Sequence, residues 1–354
     1  MTKTAAAKSA KRPYEYYGTP ISLVTIRELL PLAERLAKRL CEAVSVDPSE
    51  LEPILFDMKF FADGELMSRK PIDALVRETR VIYLDCPRFP TLNDGIMNTV
   101  LTLDAIAGAG ARNITHIPLY LPYARQDKRK PGEPLSWIRV AKMLKHATPR
   151  LDRLIALELH TEQHEGAFDE LQFNQVRGHR IFAEHFAAAY RHRANEVIVV
   201  SPDAGGVERA KKFADKLFPD GHLKVAHTEK ERPADNVAEV VSYSGPEDIA
   251  GKIVFIYDDM IDTGGTIAGA AALLKKRGAQ KVIAVAMHGL FNKTAIADMQ
   301  RSGVDEIVVS ESVPRTPEWL ATHAPLVTQV PLDEILAKVI LEQRPGGSVS
   351  KIFL

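Results

Sequence analysis

Short runs rich in β-branched residues recur along this chain of 354 residues: VIYL (81–84), NITHIPL (113–119), RLIAL (153–157), EVIVVS (196–201), IVFIY (253–257), KVIAVAM (281–287) and EIVVS (306–310). Between several of them lie Ala- and Leu-rich stretches of helical period, such as IAGAAALLKKRG, which Gly278 stops. Strands that alternate with helices pair in parallel, and a parallel sheet needs helices over both faces. The fold class is therefore α/β. Such sheets bind ligands at the carboxyl ends of their strands.

The length suits one large domain or two ordinary ones. An internal echo favours two: VIYLD (81–85), a helix and GARNITHIP parallel VFIYD (254–258), a helix and GAQKVIAVA. Chance in a generic strand–helix–strand protein could give the same echo; duplication, with a break near 170–180, is the favoured reading. The expected division is a frayed tail over 1–17, an N-terminal domain over 18–172, a C-terminal domain over 173–340, and a segment, 341–354, that packs back on the N-terminal domain.

Charge balance bounds the partners. With 46 basic and 46 acidic side chains the formal net charge is +0, so no global electrostatic hold on nucleic acid is expected, and any anion must be gripped locally. The two cysteines, Cys41 and Cys86, lie in no CxxC or Cys/His spacing, which argues against a disulfide framework and a structural zinc site and for a reducing cytoplasm. No apolar stretch follows the basic N-terminal tail as a secretory signal would require. Nor does any run approach the roughly 18 to 20 apolar residues of a membrane span.

One stretch points to a ligand. In VFIYDDMIDTGGTI (254–267) the apolar strand is expected to leave the sheet at Asp258, and a helix to start near Ile267. Asp258, Asp259 and Asp262 repel one another unless something cationic or hydroxylated lies among them. Gly264 and Gly265 let the backbone approach closely, and a helix N-terminus favours an anion. Acids beside a phosphate cradle make sense if they bind sugar hydroxyls or a divalent metal; a sugar phosphate satisfies both. Ordinary helix caps on a plain turn would have to explain three acids and two glycines together.

The stretch DDMIDTGGT resembles the phosphoribosyl-pyrophosphate motif of phosphoribosyltransferases and of ribose-phosphate pyrophosphokinases. FFADGE (60–65), PYARQDKR (122–129), ELHTEQHEGAF (158–168), SPDAGGVERAKKFAD (201–215), KER (230–232) and the terminal SVSKIFL resemble, in order, blocks of the pyrophosphokinases, whereas simple phosphoribosyltransferases carry only the first motif. The resemblance implies two tandem phosphoribosyltransferase-like domains, each a mostly parallel sheet flanked by helices. It also implies ATP-dependent synthesis of 5-phosphoribosyl 1-pyrophosphate from ribose 5-phosphate, with release of AMP.

The implied roles carry over residue by residue. Phe61 would stack on adenine with Asp63, Gly64 and Glu65 bordering the nucleotide from a neighbouring subunit, and Arg125 and Gln126 would contact ATP. His160 and Asp203 would serve the Mg2+ sites, His160 also bordering ATP, with Asp169 as a further matching acid. Asp258, Asp259, Asp262, Thr263, Gly264, Gly265 and Thr266 would hold ribose 5-phosphate, and Lys230 and Arg232 would clamp the transferring phosphates, Arg232 also reaching the ribose 5-phosphate. Taken alone, FADGE is also a plain surface turn, RQDKR a solvated basic loop, His160 a structural imidazole, and Lys230 and Arg232 a solvated pair. HTEKERPADNVAEV reads as a loop. The family commonly has Asp where this chain has Glu158, and further basic residues where it has Pro233. The implied assembly is a homo-oligomer of dimers, a hexamer, with ATP and ribose 5-phosphate as small-molecule partners and no nucleic acid or membrane. Competing readings are a plain phosphoribosyltransferase, a silent regulatory homologue that assembles with active subunits, and a nucleotide-binding scaffold.

Overall fold

The computed structural model describes residues 15–16, 18–69, 75–129, 131–221, 223, 225–231 and 240–353. The N-terminal half supplies strands β1 (Glu15–Tyr16), β2 (Thr19–Thr25), β3 (Ile54–Leu55), β4 (Asp57–Phe60), β5 (Leu66–Arg69), β6 (Arg80–Asp85), β7 (Asn113–Pro118), β8 (Leu151–Leu157) and β9 (Gln172–Val176), with helices α1 (Leu30–Ala43), α2 (Leu92–Gly108) and α3 (Ser136–Lys145). The C-terminal half supplies β10 (Val197–Ser201), β11 (Val225–Glu231), β12 (Val240–Ser244), β13 (Ile253–Ile261), β14 (Lys281–Gly289), β15 (Glu306–Ser310) and β16 (Val327–Val330). Its helices are α4 (Gly178–Tyr190), α5 (Val207–Leu217), α6 (Gly265–Lys276), α7 (Ala295–Arg301), α8 (Pro317–His323), α9 (Asp333–Leu341) and α10 (Ser350–Phe353).

One sheet has the order β1-β2-β6-β7-β8-β9, with β3 beside β2, and the other β12-β11-β10-β13-β14-β15-β16. Apart from the antiparallel β1 and β12, their strands pair in parallel, as the alternation of strands and helices requires. β4 and β5 form a separate antiparallel hairpin. The units that the sequence echo aligns, β6–α2–β7 and β13–α6–β14, share one local topology of adjacent parallel strands.

Side chains alternate across each sheet with period two and so sort into layers. Leu23, Ile82 and Ile155 from the first sheet and Val199, Phe255 and Ile283 from the second share one core with Leu36 of α1, Phe182 of α4, Phe213 of α5 and Leu336 of α9. The opposite faces are closed by α6 over Val254 and Ile256 and by α2 over Val81 and Tyr83. Both cysteines are buried and free. No helix among the described residues is long and apolar enough to cross a membrane.

Three expectations change. The boundary at 172 cuts a strand: β9 pairs with β8 through Leu157 and Val176, so the first sheet ends at 176. β9 (QFNQV) lacks an apolar run because it lies at the sheet edge. HTEKE is strand rather than loop, since β11 pairs with β12 out to Glu231 and Val240. The segment 341–354 touches both halves. Val349, Ile352 and Phe353 pack on the shared core, Arg180 of α4 donates to the Ile352 carbonyl, and Val349 and Phe353 line one cleft with Phe173 and Asn174 of β9. The element that grips the N-terminal half is α9, whose Asp333 receives Arg35 and Arg39 of α1.

Candidate active site

β10 and β13 are neighbours from which the chain proceeds in opposite directions across the sheet, to β11 on one side and β14 on the other. This topological switch point opens a crevice at the strands' carboxyl ends. Asp203 follows β10, the aspartates lie at the end of β13, and β8 of the first sheet delivers Glu158 and His160 from across the core. Arg125, His160, Asp203, Asp258, Asp259, Asp262, Thr263, Gly264, Gly265 and Thr266 all line one cavity of about 180 Å3.

β13 does not end at Asp258. It continues to Ile261, with Asp258 opposite Ala286 and Ile261 opposite Gly289, because the first two aspartates find a buried cation and need not leave the ladder. α6 begins at Gly265, earlier than expected. Gly264 holds φ +73°, and a Cβ there would stand 3.1 Å from the Met299 side chain and 3.2 Å from the Ala295 carbonyl, so any other residue would be strained and crowded. With no side chain capping α6, its first-turn N–H groups stay available for an anion at the positive end of the helix.

The buried cation is Arg209 of α5. Its guanidinium lies 3.4 Å from Glu158, 3.4 Å from Asp258 and 3.5 Å from Asp259, and it donates to the His160 carbonyl at 3.0 Å. His160 Nδ1 meets Asp259 Oδ2 at 2.8 Å. Burial opposes ionisation of Asp259, but the His160 hydrogen bond and the Arg209 charge hold its carboxyl below the usual range. Asp258 goes the other way, raised well above its ordinary value by burial and by the charge on Asp259. Glu158 is also raised by burial, against the pull of Arg209 and the Gly178 N–H. An ionised Asp259 can only accept, so His160 donates through Nδ1, and Nε2 is the ring atom not engaged in this bond.

At the other end of the motif Arg125 Nη1 lies 2.5 Å from Asp262 Oδ2, and Asn292 donates to Oδ1 of the same carboxylate. Those two bonds outweigh burial and hold Asp262 below the ordinary carboxylate range. Asp203 accepts from the Gly206 N–H at 2.9 Å through Oδ1. Among the described residues no group of three or more His, Cys, Asp or Glu side chains forms a metal cage.

Other expected site residues do not reach this cavity. Phe61, Asp63, Gly64 and Glu65 sit on the β4–β5 hairpin, where Phe61 is 55% exposed. Gln126 is exposed, and its carbonyl accepts from the Trp137 N–H. Asp169, itself exposed, pairs instead with the buried Lys145 at 2.6 Å. Lys230 lies in β11, but its side chain, like the whole of Arg232, falls outside the described residues. Sequence reasoning missed Arg209 and Asn292. Arg209 did leave a signal, since a cation in the first turn of a helix opposes the dipole unless a carboxylate answers it. Asn292 left none.

A profile of the N-terminal domain of ribose phosphate pyrophosphokinase matches residues 21–147, and one of the phosphoribosyl transferase domain matches residues 174–317. The chain is 34% identical to a ribose-phosphate pyrophosphokinase of Corynebacterium efficiens over 328 residues, covering 92% of this chain and 96% of the relative. It is 37% identical to one of Shewanella oneidensis over 295 residues, 83% of this chain and 89% of that one. A crystal structure of phosphoribosylpyrophosphate synthetase from Mycobacterium smegmatis superimposes with a TM-score of 0.75 at 34% identity, covering 90% of this chain and 97% of the other. Both tandem domains are thus matched, and the chain belongs to the ribose-phosphate pyrophosphokinase family of enzymes.

Proposed function

We propose that the enzyme moves the terminal diphosphate of ATP onto the anomeric hydroxyl of ribose 5-phosphate, releasing 5-phosphoribosyl 1-pyrophosphate and AMP. The observation that carries this reading is the single cavity that joins an uncapped helix N-terminus, three aspartates, His160 and Arg125. The α6 N–H groups with Thr263 and Thr266 hold the 5-phosphate, and Asp258 and Asp262 accept from the ribose hydroxyls. The anomeric hydroxyl oxygen attacks the β-phosphorus and gives up its proton to solvent, the bond from that phosphorus to the α-phosphate bridging oxygen breaks, and AMP leaves. Arg125 meets the phosphates of ATP as a guanidinium fork. Lys230 and Arg232 close over the transferring group, a role that rests on the resemblance of KER alone.

Magnesium fits the donors present. His160, its tautomer set by Asp259, and the Asp203 carboxylate would each offer one ligand, and Mg2+ keeps several waters and takes phosphate oxygens, so a protein cage is not required. When bound it neutralises phosphate charge. The exposed Phe60 and Phe61 on the hairpin support a nucleotide site completed by a neighbouring subunit, hence a dimer-based assembly and a hexamer. The two free, buried cysteines suit the cytoplasm.

The test is chromatography of the reaction mixture. AMP should accumulate only when ATP, ribose 5-phosphate and Mg2+ are all present. Consumption of 5-phosphoribosyl 1-pyrophosphate with a nucleobase would instead reveal a plain phosphoribosyltransferase, and no turnover would support the regulatory homologue.

A further inference from the structure

The loop after β14 is built around Asn292. Its two neighbours, Phe291 at φ +49° and Lys293 at φ +56°, are both left-handed, a conformation that costs a side-chain-bearing residue free energy and persists where the surroundings impose it. Those surroundings are on view. Arg315 donates to the Gly289 and Leu290 carbonyls at 2.6 and 2.8 Å and stacks over Phe291 and Trp319. The strained loop aims Asn292 at the start of the phosphate turn: its N–H donates to the Asp262 carbonyl at 2.9 Å, and its side-chain amide donates to Asp262 Oδ1.

The amide's other end faces the opposite domain. Asn292 Oδ1 accepts from Arg88 Nη2 at 3.0 Å. Only one orientation of the amide satisfies both partners, because a guanidinium can only donate and a carboxylate can only accept. Arg88 lies on the loop after β6 in the N-terminal half, and that loop is seated closely on α2: a Cβ at Gly95 would come within 2.7 Å of the Arg88 nitrogen. Arg88 has no carboxylate partner within ion-pair distance among the described residues.

We infer that Arg88 and Asn292 are positioning residues for the acceptor: a relay from the N-terminal domain that holds Asp262, and with it the DTGGT turn, in the geometry that receives ribose 5-phosphate. The inference rests on the function proposed above for that turn. ATP is reached by this relay only indirectly, through Arg125 on the other oxygen of Asp262, so the two substrates respond to its loss to different degrees.

The experiment is calorimetric binding of ribose 5-phosphate and, separately, of ATP, together with steady-state KM values for both. Asn292→Asp is the telling variant, since it keeps size and the link to Arg88 but cannot donate to Asp262 and sets a like charge beside it. Arg88→Ala and Asn292→Asp should each weaken ribose 5-phosphate binding roughly tenfold, the effect of losing one hydrogen bond to a charged group. ATP binding should fall clearly less than ribose 5-phosphate binding, the unfolding midpoint should drop by no more than the loss of that one hydrogen bond, and Arg88→Lys should recover most of the loss. Unchanged ribose 5-phosphate affinity in both variants overturns the inference, as does an equal loss for ATP, which marks a general structural role. A wild type that binds ribose 5-phosphate but releases no AMP sinks the proposed reaction and leaves the relay standing. A wild type that binds no ribose 5-phosphate overturns both.

Discussion

Arg209 answers the electrostatic problem that Asp258 and Asp259 pose, as Arg125 does for Asp262. Three carboxylates share its guanidinium at 3.4 to 3.5 Å, and its own side chain is only 17% exposed. Removing one partner of a buried ionic cluster leaves the others uncompensated. Arg209→Met should therefore lower the unfolding free energy by about 3 kcal/mol in urea titration and abolish turnover; an unaltered midpoint would show that the acids are neutral without it. A second residue sets a pH dependence. His288 is buried, bonded to Ser312 Oγ at 2.9 Å and set 3.3 Å from the Glu158 carbonyl, and burial lowers its pKa from 6.5 to about 4. Below pH 6.5 the unfolded chain takes up a proton that the folded chain refuses. His288 thus costs stability as pH falls from about 6.5 to about 4, at up to about 1.4 kcal/mol per pH unit, and nothing further below that. The slope should flatten in His288→Gln, and an unchanged slope would rule His288 out. At this scale the sequence disclosed the acids and glycines by local pattern, and His160 only through the family resemblance. It withheld Arg209 and Asn292 because their partners lie 49 and 30 residues away or more.

Among the elements, α6 is the one on which the proposed binding of ribose 5-phosphate turns, and its two leading glycines have different reasons to be there. Gly264 is left-handed and crowded by Met299 and Ala295, whereas a Cβ at Gly265 would meet nothing nearer than Thr263 Oγ1 at 4.0 Å. Gly264→Ala should cost about 1–3 kcal/mol of stability along with ribose 5-phosphate affinity. Gly265→Ala should leave the melting temperature unchanged and weaken binding by placing a methyl in the anion cradle; equal melting losses would contradict this division. Central strands were legible because burial on both faces makes them continuous apolar runs. β9 and β12 were not, since edge strands carry mixed sequences such as QFNQV, and neither was β11, whose VAHTEKE lies second from the edge, covered only by β12. The end of β13 was misplaced for a related reason: aspartates in a strand look like its end until the buried cation beside them is known.

Across the whole molecule, the two sheets share one core and are strapped by α9 to α1, where Asp333 takes Arg35 at 3.3 Å and also Arg39, and Arg35 reaches Glu311 at 2.5 Å. The two arginines are over 40% exposed, so screening by water limits the value of these pairs. Asp333→Ala should lower the unfolding free energy by roughly 1 kcal/mol. It should keep a single calorimetric transition, whereas two separated transitions would show that the halves fold independently. The repeated strand–helix–strand unit made the two-domain plan readable. The shared core was not readable, because which faces of two amphipathic layers meet is decided only in three dimensions. That plan brings β8, β10 and β13 to one crevice, where diphosphate transfer to ribose 5-phosphate is proposed to take place. Phosphorus NMR of a reaction started with ATP, ribose 5-phosphate and Mg2+ decides the matter: AMP should appear together with a diphosphate attached to the sugar's anomeric carbon, and formation of ADP with a singly phosphorylated anomeric carbon would overturn the proposed reaction.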